Sequence, residues 1–272
     1  MTNTNIAKFK KTIWKYYKEH KRDLPWRKTR DPYKILVSEV MLQQTQAPRV
    51  LPKYKNFIKK FPTTKALAMA KLSEVLAEWQ GLGYNRRALY LKKCAEKIEA
   101  DYDGKFPKDF KTLCTLPGIG PATAGDLLAF AWNVPVVVIE TNIRSVFIHF
   151  FFPKKKTAKE KITDKEILPL VEKTLDKENP REWYWALFDY GVFLKKTSNP
   201  SRRSAHHSKQ SPFIGSYRQK RAATLRLILA KPQTEKELLK LTKYEPELLS
   251  KVLADLEKEG MIKQNKQGKF LC

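Results

Sequence analysis

A succession of short helical patterns, separated by proline, glycine or polar breaks, runs through most of the sequence. In each pattern apolar residues recur at the spacing that places them on one face of an α-helix. The predicted helices are 5–20, 33–42, 48–61, Thr64–Met69, 71–80, 85–102, 110–114, Pro121–Trp132, Thr141–Phe151, 167–175 and 182–194. Before residue 195, only 135–139 has the β-branched composition of a short strand. The sequence therefore predicts an all-α fold.

The net charge is the feature that most narrows the kind of partner. The 272 residues include 54 Lys and Arg against 28 Asp and Glu, a formal charge of +26. A charge of this size attracts polyanions, so nucleic acid is the predicted partner; a generic cationic surface and a membrane-surface protein are the alternatives. Residues 195–221 carry eight Lys or Arg and no acidic residue, and they are either a basic linker or a phosphate-contacting surface.

Cysteine content and hydropathy indicate the compartment. Cys94, Cys114 and Cys272 are too few and too scattered for a disulfide framework or a cysteine-rich metal site, which fits a reduced cytosolic compartment. No apolar run of the sequence is long enough to cross a bilayer, and the N-terminal residues lack the apolar core of a signal peptide. We therefore expect a cytoplasmic protein that does not enter membranes. A monomer is also expected.

The last fifty residues have a pattern of their own. Helical patterns at 221–229, 234–238 and 246–259 are followed by two short strand patterns within 262–271. Thr234 is a suitable N-cap for the second of these helices. This order resembles a winged helix-turn-helix, a module that binds DNA or protein. The predicted division is a main domain 1–195, a basic connecting segment 196–221 and a winged-helix-like domain 222–272.

Residues 113–125, with the sequence LCTLPGIGPATAG, contain the most informative turn. Gly118 and Gly120 lie between two helical patterns, and Pro117 closes the first. Such a turn can present backbone N–H groups at the start of Pro121–Trp132, where they and the helix dipole suit a DNA phosphate. The alternative is a tight turn that needs glycine for its backbone conformation alone. On so basic a chain we favour phosphate binding.

Several segments, taken in order, resemble the helix-hairpin-helix DNA glycosylases, the endonuclease III superfamily. Residues 116–120, LPGIG, are similar to the hairpin of that superfamily, and residues 38–46, SEVMLQQTQ, are similar to the signature of its MutY-type adenine glycosylases. Shorter matches are LPWR at 24–27, DPY at 31–33, WQGLGY at 79–84, RRA at 86–88 and IETNIR at 139–144. The resemblance covers about residues 5–195.

The resemblance implies a fold of two helical lobes with the active site between them. An inner lobe near residues 23–132 carries the hairpin, and an outer lobe joins the N-terminal helix to the helices after residue 134. The implied substrate is double-stranded DNA with a mismatch or an oxidised base. The target base is flipped out of the duplex, because the glycosidic bond of a stacked base is inaccessible.

The same resemblance assigns the general acid to Glu39. It implies that Glu39 protonates a ring nitrogen of adenine, which makes the base a better leaving group. Val37 and Val40 flank this residue in an apolar helical pattern. Burial there should raise the pKa of Glu39, as the role of a general acid requires.

Glu140 stands where the family has its catalytic aspartate, which stabilises the sugar cation and helps to deliver water. A glutamate is longer by one methylene, so its carboxylate would lie about 1.5 Å farther out on an unchanged backbone. Asn142 matches a family residue near the catalytic carboxylate and could hold its geometry. The alternative role of Asn142 is an ordinary helix cap.

Predicted DNA contacts come from several parts of the chain. The resemblance implies that Gln43 and Gln44 probe the base stack and the orphan base, since an amide can both donate and accept at a base edge. The full predicted set is Gln43, Gln44, Tyr84, Arg86, Arg87, Pro117, Gly118, Ile119, Gly120, Arg202, Arg203 and Lys209.

The sequence departs from the family pattern at positions that affect the chemistry. Bifunctional members have a lysine in place of Ala122, and the Schiff base that leads to strand cleavage needs an amine, so we expect a monofunctional enzyme. Many relatives bind an iron–sulfur cluster through four cysteines, but residues 189–208 contain none, so neither a cluster nor another metal is expected. His206 and His207 lack further ligands for zinc. A monovalent cation at the hairpin is compatible with the pattern.

The C-terminal residues are also too few for the domain with which MutY-type enzymes recognise 8-oxoguanine, so the opposite base is left open. We predict a monofunctional DNA glycosylase of base excision repair, with adenine opposite 8-oxoguanine or guanine as the favoured substrate. The alternatives are a mismatch-specific thymine or uracil glycosylase on the same scaffold, a non-catalytic binder of damaged DNA, and a transcriptional regulator that acts through the winged helix.

Overall fold

The computed structural model describes residues 3–152 and 161–272. Within these ranges the chain is predominantly helical, which confirms the all-α prediction. The helices are α1 (Asn3–His20), α2 (Pro32–Leu42), α3 (Ala47–Lys60), α4 (Thr64–Met69), α5 (Leu72–Trp79), α6 (Arg86–Tyr102), α7 (Phe110–Thr115), α8 (Pro121–Trp132), α9 (Thr141–Phe151), α10 (Asp164–Thr174), α11 (Pro180–Thr197), α12 (Tyr217–Ala230), α13 (Glu235–Thr242) and α14 (Pro246–Lys258), with 3-10 helices at Pro25–Arg27 and Pro200–Arg203. None of the helices in the two described ranges combines the length and the apolar character needed to span a membrane.

The chain folds as two compact units. The first unit contains Met1–Leu36, Lys108–Thr115 and Ile119–Lys209, and the second contains Val37–Pro107, Leu116–Gly118 and Gln210–Cys272. The C-terminal residues group with Val37–Pro107, where α12 packs against α5. The division into 1–195, 196–221 and 222–272 stays a prediction.

Aromatic side chains build the core of the first unit. Helix α11 packs against α1 and α9. The buried rings of Phe9, Phe147 and Trp183 meet there, with the centroid of Phe9 5.3 Å from Phe147 and 5.8 Å from Trp183. The buried carboxylate of Asp189 accepts two hydrogen bonds of 2.8 Å from the guanidinium of Arg27. This pair joins α11 to the 3-10 helix that follows α1.

The core of the second unit lies among α3 to α6. Helix α6 packs against α4 and α5, and α3 packs against α5. Phe57, Leu67 and Trp79 are buried at these contacts, and the rings of Phe57 and Trp79 meet edge to face with centroids 5.9 Å apart. These side chains fall on the apolar faces from which the helices were predicted.

The C-terminal part of the second unit has the predicted order of three helices followed by a hairpin. Strands β2 (Lys263–Gln264) and β3 (Lys269–Leu271) pair antiparallel, and β1 (Gln233–Thr234), which was not predicted, completes a sheet of order β1-β3-β2. Thr234 caps α13 as predicted, because its side chain accepts from the amide of Glu237, whose carboxylate accepts from Thr234 N–H at 2.7 Å.

The predicted short strand at 135–139 does not form, since residues 133–140 have no regular secondary structure. The hydroxyl of Tyr184 takes the place of a strand partner. It accepts the N–H of Val138 at 3.0 Å and donates to the carbonyl of Val136 at 2.6 Å. The β-branched composition does not indicate the side chain that satisfies these two backbone groups.

Candidate active site

Glu39 lies near the C-terminal end of α2, on a helix that is mostly apolar. Val37, Ser38 and Val40 are buried, and Glu39 itself is half-buried. The hydroxyl of Ser38 lies 3.5 Å from Oε1 of Glu39. The predicted apolar flanks are therefore present, and the carboxyl group keeps partial access to solvent.

Arg87 holds the end of the helix that carries Glu39. Its Nη1 group donates to the carbonyl oxygens of Val40, Met41 and Gln43 at 2.8, 3.0 and 2.6 Å. Its Nη2 group donates to Thr45 Oγ1 and to the carbonyls of Leu82 and Gly83, at 3.2, 3.2 and 3.1 Å. The last carbonyl groups of a helix have no partner within the helix. One guanidinium therefore satisfies the end of α2 and fixes the turn that follows it.

Arg87 is also one of the predicted DNA contacts, and protein groups surround its guanidinium. Burial lowers the pKa of Arg87 to about 10, and its guanidinium lies 5.4 Å from the ring of Trp79 and 5.6 Å from that of Tyr84. Its Nη1 and Nη2 groups donate to backbone carbonyls and to Thr45 Oγ1, so Arg87 supports the loop after α2. Arg86 is exposed, with Nη2 3.4 Å from the hydroxyl of Tyr90, and keeps the access that a phosphate contact needs.

Gln44 and Tyr84, two of the predicted DNA contacts, share an unusual backbone conformation. Their φ angles are +53° and +49°, in the left-handed region that disfavours residues with a side chain. Such strain is concentrated at functional positions. Both side chains are exposed, and both accept hydrogen bonds from the amide of Gln210. Gln43, beside them, is half-buried.

The hairpin between α7 and α8 has the exposure expected of a phosphate site. Ile119 is buried, whereas Gly118 and Gly120 are exposed on either side of it. Gly118 has a φ of +77°, and a Cβ there would lie 2.8 Å from Cβ of Tyr90, so this position requires glycine. Gly120 caps α8 with an ordinary φ of −92°, and a Cβ there would meet nothing within 4 Å. The surface in front of α8 is open at Gly120.

Glu140 is the N-cap of α9. Its Oε1 accepts the N–H groups of Asn142 and Ile143 at 2.7 and 2.9 Å, and its Oε2 accepts Nδ2 of Asn142 at 3.1 Å. Shorter side chains such as Asp, Asn, Ser and Thr are the usual N-caps. The additional methylene of Glu140 is therefore accommodated in a cap, and the carboxylate is directed back to its own helix.

Burial and hydrogen bonding act in opposite directions on Glu140. Burial raises the pKa of Glu140 above its ordinary value, while the amides of Asn142 and Ile143 and the charge of Arg144 oppose this effect. Arg144 itself forms a two-pronged ion pair with Asp164, with both N···O distances 2.7 Å. The position of α9 next to α10 is thus fixed close to Glu140.

The start of α9 also depends on a glycine in α11. A Cβ added at Gly191 would lie 2.5 Å from Cβ, 2.8 Å from the carbonyl oxygen and 2.9 Å from Cα of Asn142. Only a hydrogen atom fits at these distances. Gly191 therefore permits the close approach of α11 to the turn in which Asn142 binds Glu140.

These features belong to a described family. The family model for the HhH-GPD superfamily of base excision DNA repair proteins matches residues 37–173, about half of the chain. The chain belongs to this superfamily. The matched HhH-GPD region includes Glu39, the hairpin and Glu140.

Two curated relatives and one solved structure are similar to this HhH-GPD chain. An adenine DNA glycosylase of Buchnera aphidicola subsp. Baizongia pistaciae is 36% identical over 197 residues, which are 71% of this chain and 54% of that protein. An adenine DNA glycosylase of Mycolicibacterium smegmatis is 47% identical over 132 residues, 48% of this chain and 45% of that protein. The structure of a thermostable thymine-DNA glycosylase, 26% identical, has a TM-score of 0.63 and covers 73% of this chain and 91% of that one. The chain spans about half the length of the curated relatives it matches.

The iron–sulfur cluster of many HhH-GPD relatives does not fit the residues of this chain. Its cysteines are free thiols on α6, on α7 and at residue 272, and in the part of the chain that the structure describes no group of three or more His, Cys, Asp or Glu could hold a metal ion. After α11 the 3-10 helix Pro200–Arg203 packs against α9 instead. Nη1 of Arg203 donates to the carbonyl of Phe152 at 2.7 Å. Contacts with α9 and Phe152 therefore hold this segment, which contains no cysteine that could bind a cluster.

The basic residues of this segment differ in their surroundings. Arg202 and Lys209 are exposed, as their predicted contact with DNA requires. Arg203 is half-buried, and its guanidinium donates to the carbonyl of Phe152, the residue that follows α9 in the first unit.

Several supporting residues were not predicted as functional. Gly191 carried a usable signal, because a glycine inside an apolar helix often marks a close approach. Gln210 and Arg218 carried no local signal. Their contacts with Tyr84 join parts of the chain that are 126 and 134 residues apart in the sequence.

Proposed function

We propose that this HhH-GPD chain is a monofunctional DNA glycosylase of base excision repair that removes adenine opposite 8-oxoguanine or guanine. The observation that carries the proposal is the structure around α2. Glu39, the proposed acid, and Gln43 and Gln44, the proposed readers of the base stack, follow one another on a helix end that Arg87 fixes. A rigid element of this kind can hold the acid and the reading residues in constant relation.

Glu39 is proposed to donate a proton to a ring nitrogen of the flipped adenine. Protonation withdraws electrons from the C1′–N9 bond and turns the base into a neutral leaving group. The half-buried carboxyl among Val37, Ser38 and Val40 suits this role, because an apolar environment favours the neutral acid.

Glu140 is proposed to stabilise the positive charge that develops on the sugar as the base leaves. Its carboxylate is held by the amides of Asn142 and Ile143 and by the side-chain amide of Asn142. A group that is already oriented needs no reorganisation during the reaction. A water molecule then adds its hydroxyl group to C1′ and releases a proton, and the product is an abasic site with an intact DNA strand.

Strand cleavage is excluded from the proposal because of Ala122. This residue, at the start of α8, is exposed and carries no amine. A methyl side chain cannot form the Schiff base that precedes strand cleavage. The proposed product is therefore cut by alkali but not by the protein.

The proposed partner is double-stranded DNA that contains a mismatch or an oxidised base. The formal charge of +26 supplies attraction without sequence preference. The exposed Gly118 and Gly120 in front of α8 are proposed to bind one backbone phosphate. We further propose that the chain acts as a monomer on the DNA of the cytoplasm.

Single-turnover base release from four duplexes tests the proposal. The duplexes contain adenine opposite 8-oxoguanine, adenine opposite guanine, thymine opposite guanine and uracil opposite guanine, and each reaction is analysed with and without alkali. We expect adenine release, with strand breaks only after alkali. Glu39→Gln should lower the rate about 100-fold or more, since general acids contribute that much.

The matched control is Glu96→Gln, which changes an exposed glutamate on α6 that pairs with Lys92. It should leave the rate within about two-fold, as distant surface substitutions do. Strand breaks without alkali would contradict the monofunctional assignment.

The same experiment decides the second candidate, a mismatch-specific thymine or uracil glycosylase. This candidate is favoured by the solved thymine-DNA glycosylase, 91% of which is covered by this chain. Release of thymine or uracil in place of adenine would select it. Binding of all four duplexes without release would select a non-catalytic binder of damaged DNA.

A further inference from the structure

Residues 210–215, which we call the tip loop, are hydrogen-bonded to Gln44 and Tyr84, the two predicted DNA contacts with positive φ angles. We call these two residues the reading surface. The amide of Gln210 donates to Oε1 of Gln44 and, at 2.5 Å, to the hydroxyl of Tyr84. Nη1 of Arg218 donates to the same hydroxyl at 3.0 Å, and its Nη2 donates to the carbonyl of Ser211 at 2.7 Å. All these residues belong to the second unit. The tip loop and the reading surface are therefore one structure.

The far end of the tip loop is an ordered turn. The N–H and the hydroxyl of Ser216 donate to the carbonyl of Phe213 at 3.1 and 2.6 Å. The N–H of Gly215 donates to Oε1 of Gln219 at 2.6 Å. Ser216 is also the N-cap of α12. These bonds tie the turn to the start of α12.

This ordered turn presents apolar side chains to solvent. Phe213 is 53% exposed and Ile214 is 85% exposed. The core contacts of the adjoining helix α12 are made by Leu225 and Ile228 further along the chain, both of which are buried. Exposed large apolar side chains on a hydrogen-bonded loop are typical of an interaction site.

The charge around the tip loop indicates that the partner is DNA. Residues 195–221 contain no acidic residue, and Arg218 lies directly beside the tip loop. Proteins that deform DNA insert side chains such as Phe and Ile between base steps, and basic groups nearby bind the backbone. Enzymes that flip bases must also unstack the duplex at the target.

We propose that the tip loop is a second DNA-inserting element, in which Phe213 and Ile214 enter the base stack of a mismatched duplex beside Gln44 and Tyr84. Gln210 and Arg218 set the spacing between the two elements. This inference rests on the proposed function, since it assigns the loop to the same substrate. It makes the segment after α11 part of lesion recognition.

A fluorescent duplex tests insertion directly. The probe is a duplex with adenine opposite 8-oxoguanine and 2-aminopurine as the neighbouring base, whose fluorescence rises when that base unstacks. The full chain with Glu39→Gln binds it without turnover, and Phe213→Ser with Ile214→Ser removes the apolar tip. We expect the affinity to fall about 5- to 150-fold, the range for loss of one stacking contact, and the fluorescence rise to disappear.

The matched control is Met69→Ser in the same full-length background, because Met69 is a 76% exposed apolar residue of the second unit, at the end of α4. It should change the affinity less than about two-fold. Thermal unfolding of each variant shows whether it is folded, and we expect little change because the replaced side chains are exposed. With Glu39 intact, the tip variant should need more protein for half-maximal adenine release.

The outcomes separate this inference from the proposed function. Unchanged affinity and fluorescence in the tip variant would overturn the inference, and adenine release by the wild-type chain would leave the proposed function in place. An equal loss of affinity for the mismatched duplex and for a fully paired one would also overturn insertion, because it would indicate a general backbone contact. A wild-type chain that neither binds these duplexes nor releases a base would overturn both.

Discussion

Glu39 and Glu140 are both glutamates at helix ends, but the two ends are held in different ways. Glu39 lies near the C-terminal end of α2, where the guanidinium of Arg87 binds the carbonyl groups of Val40 and Met41. Glu140 lies at the N-terminal end of α9, where its own carboxylate binds the backbone amides. In the first region a neighbouring cation holds the helix end, and in the second the proposed catalytic group does so itself.

This difference determines whether a mutation can change the rate of base release without also changing the free energy of unfolding. A change at Glu39 leaves Arg87 and its carbonyl partners in place, so it should affect base release without a matching loss of stability. A change at Glu140 alters the cap of α9 as well as the charge. The two carboxyl groups should therefore respond differently to equivalent substitutions.

The largest loss of stability is expected for Arg87→Met. The substitution keeps an apolar stem but removes the donors for the carbonyls at the end of α2. We expect the free energy of unfolding, measured with urea, to fall by about 3 kcal/mol or more, because each buried carbonyl left without a partner costs about 1–3 kcal/mol. Base release should fall too, because the turn after α2 carries Gln43 and Gln44.

Arg86→Met is the matched control, since it changes the same residue type one position earlier. Arg86 is exposed, and its loss should change the free energy of unfolding by less than about 0.5 kcal/mol. Its expected effect is weaker DNA binding with a reduced dependence on salt. Equal losses of stability in the two variants would contradict the role assigned to Arg87.

Glu140→Asp has the next largest expected effect, which is on catalysis. Aspartate is a good N-cap, so the free energy of unfolding should change by less than about 1 kcal/mol. The carboxylate would be withdrawn by about the length of one C–C bond. We expect single-turnover base release to fall about 10- to 100-fold, since displacements of this size have effects of that order.

Glu140→Gln is the companion variant, because it keeps the length of the side chain and an oxygen that can accept from Asn142 and Ile143. It removes the negative charge that is proposed to stabilise the sugar, so base release should be nearly abolished while α9 remains capped. An aspartate variant as active as the wild type would show that the position of the carboxylate does not depend on the additional methylene.

The features that could be predicted from the sequence are those with local causes. Helix α8 begins and ends where predicted. Its start is marked in the sequence by Gly120 and Pro121. The apolar flanks of Glu39 and the capping residue Thr234 are equally local. Such signals require no knowledge of what lies beside a segment in space.

The features that could not be predicted are the partners of buried polar groups. Arg87 binds carbonyls more than forty residues earlier in the chain, and Tyr184 replaces a strand for Val136 and Val138 at a similar separation. Periodicity describes which face of a segment is apolar, but it does not indicate which distant side chain will satisfy a backbone group.

Gly191→Ala tests the Glu140 region through its packing, with a smaller expected effect. Inside a helix, alanine is more favourable than glycine by about 1 kcal/mol. The added methyl group would, however, overlap the backbone of Asn142, and overpacking costs about 1–3 kcal/mol. The net loss of stability should be about 1 kcal/mol. Base release should fall with it, because Asn142 and Glu140 would shift together.

Asn142→Ala in the Gly191→Ala background provides the check on that explanation. The clash involves the carbonyl oxygen and Cα of Asn142 as well as its Cβ, so truncating the side chain should not restore activity. Restored activity would locate the effect in the side chain of Asn142 and not in the position of α9.

The smallest expected effect is the pH dependence of stability, and it has opposite signs at two capping glutamates. Burial raises the pKa of Glu140 above the ordinary value of 4.5. As pH rises from that value through the folded pKa, the folded state retains a proton that the unfolded state has lost, so this contribution to the free energy of unfolding decreases. Urea unfolding at several pH values should therefore show the wild type losing stability relative to Glu140→Gln as pH increases.

Glu237 in the capping box of α13 should show the reverse. Hydrogen bonds from the backbone and hydroxyl of Thr234 lower the pKa of Glu237 below 4.5. Its stabilising contribution is therefore present above pH 4.5 and is lost as pH falls through the lower folded value. The wild type should gain stability relative to Glu237→Gln as pH increases through that interval. If stability relative to the Gln variant increased with pH at both glutamates, the hydrogen bonds of the cap would outweigh burial at Glu140. The pKa values of both capping glutamates would then be lowered in the folded state.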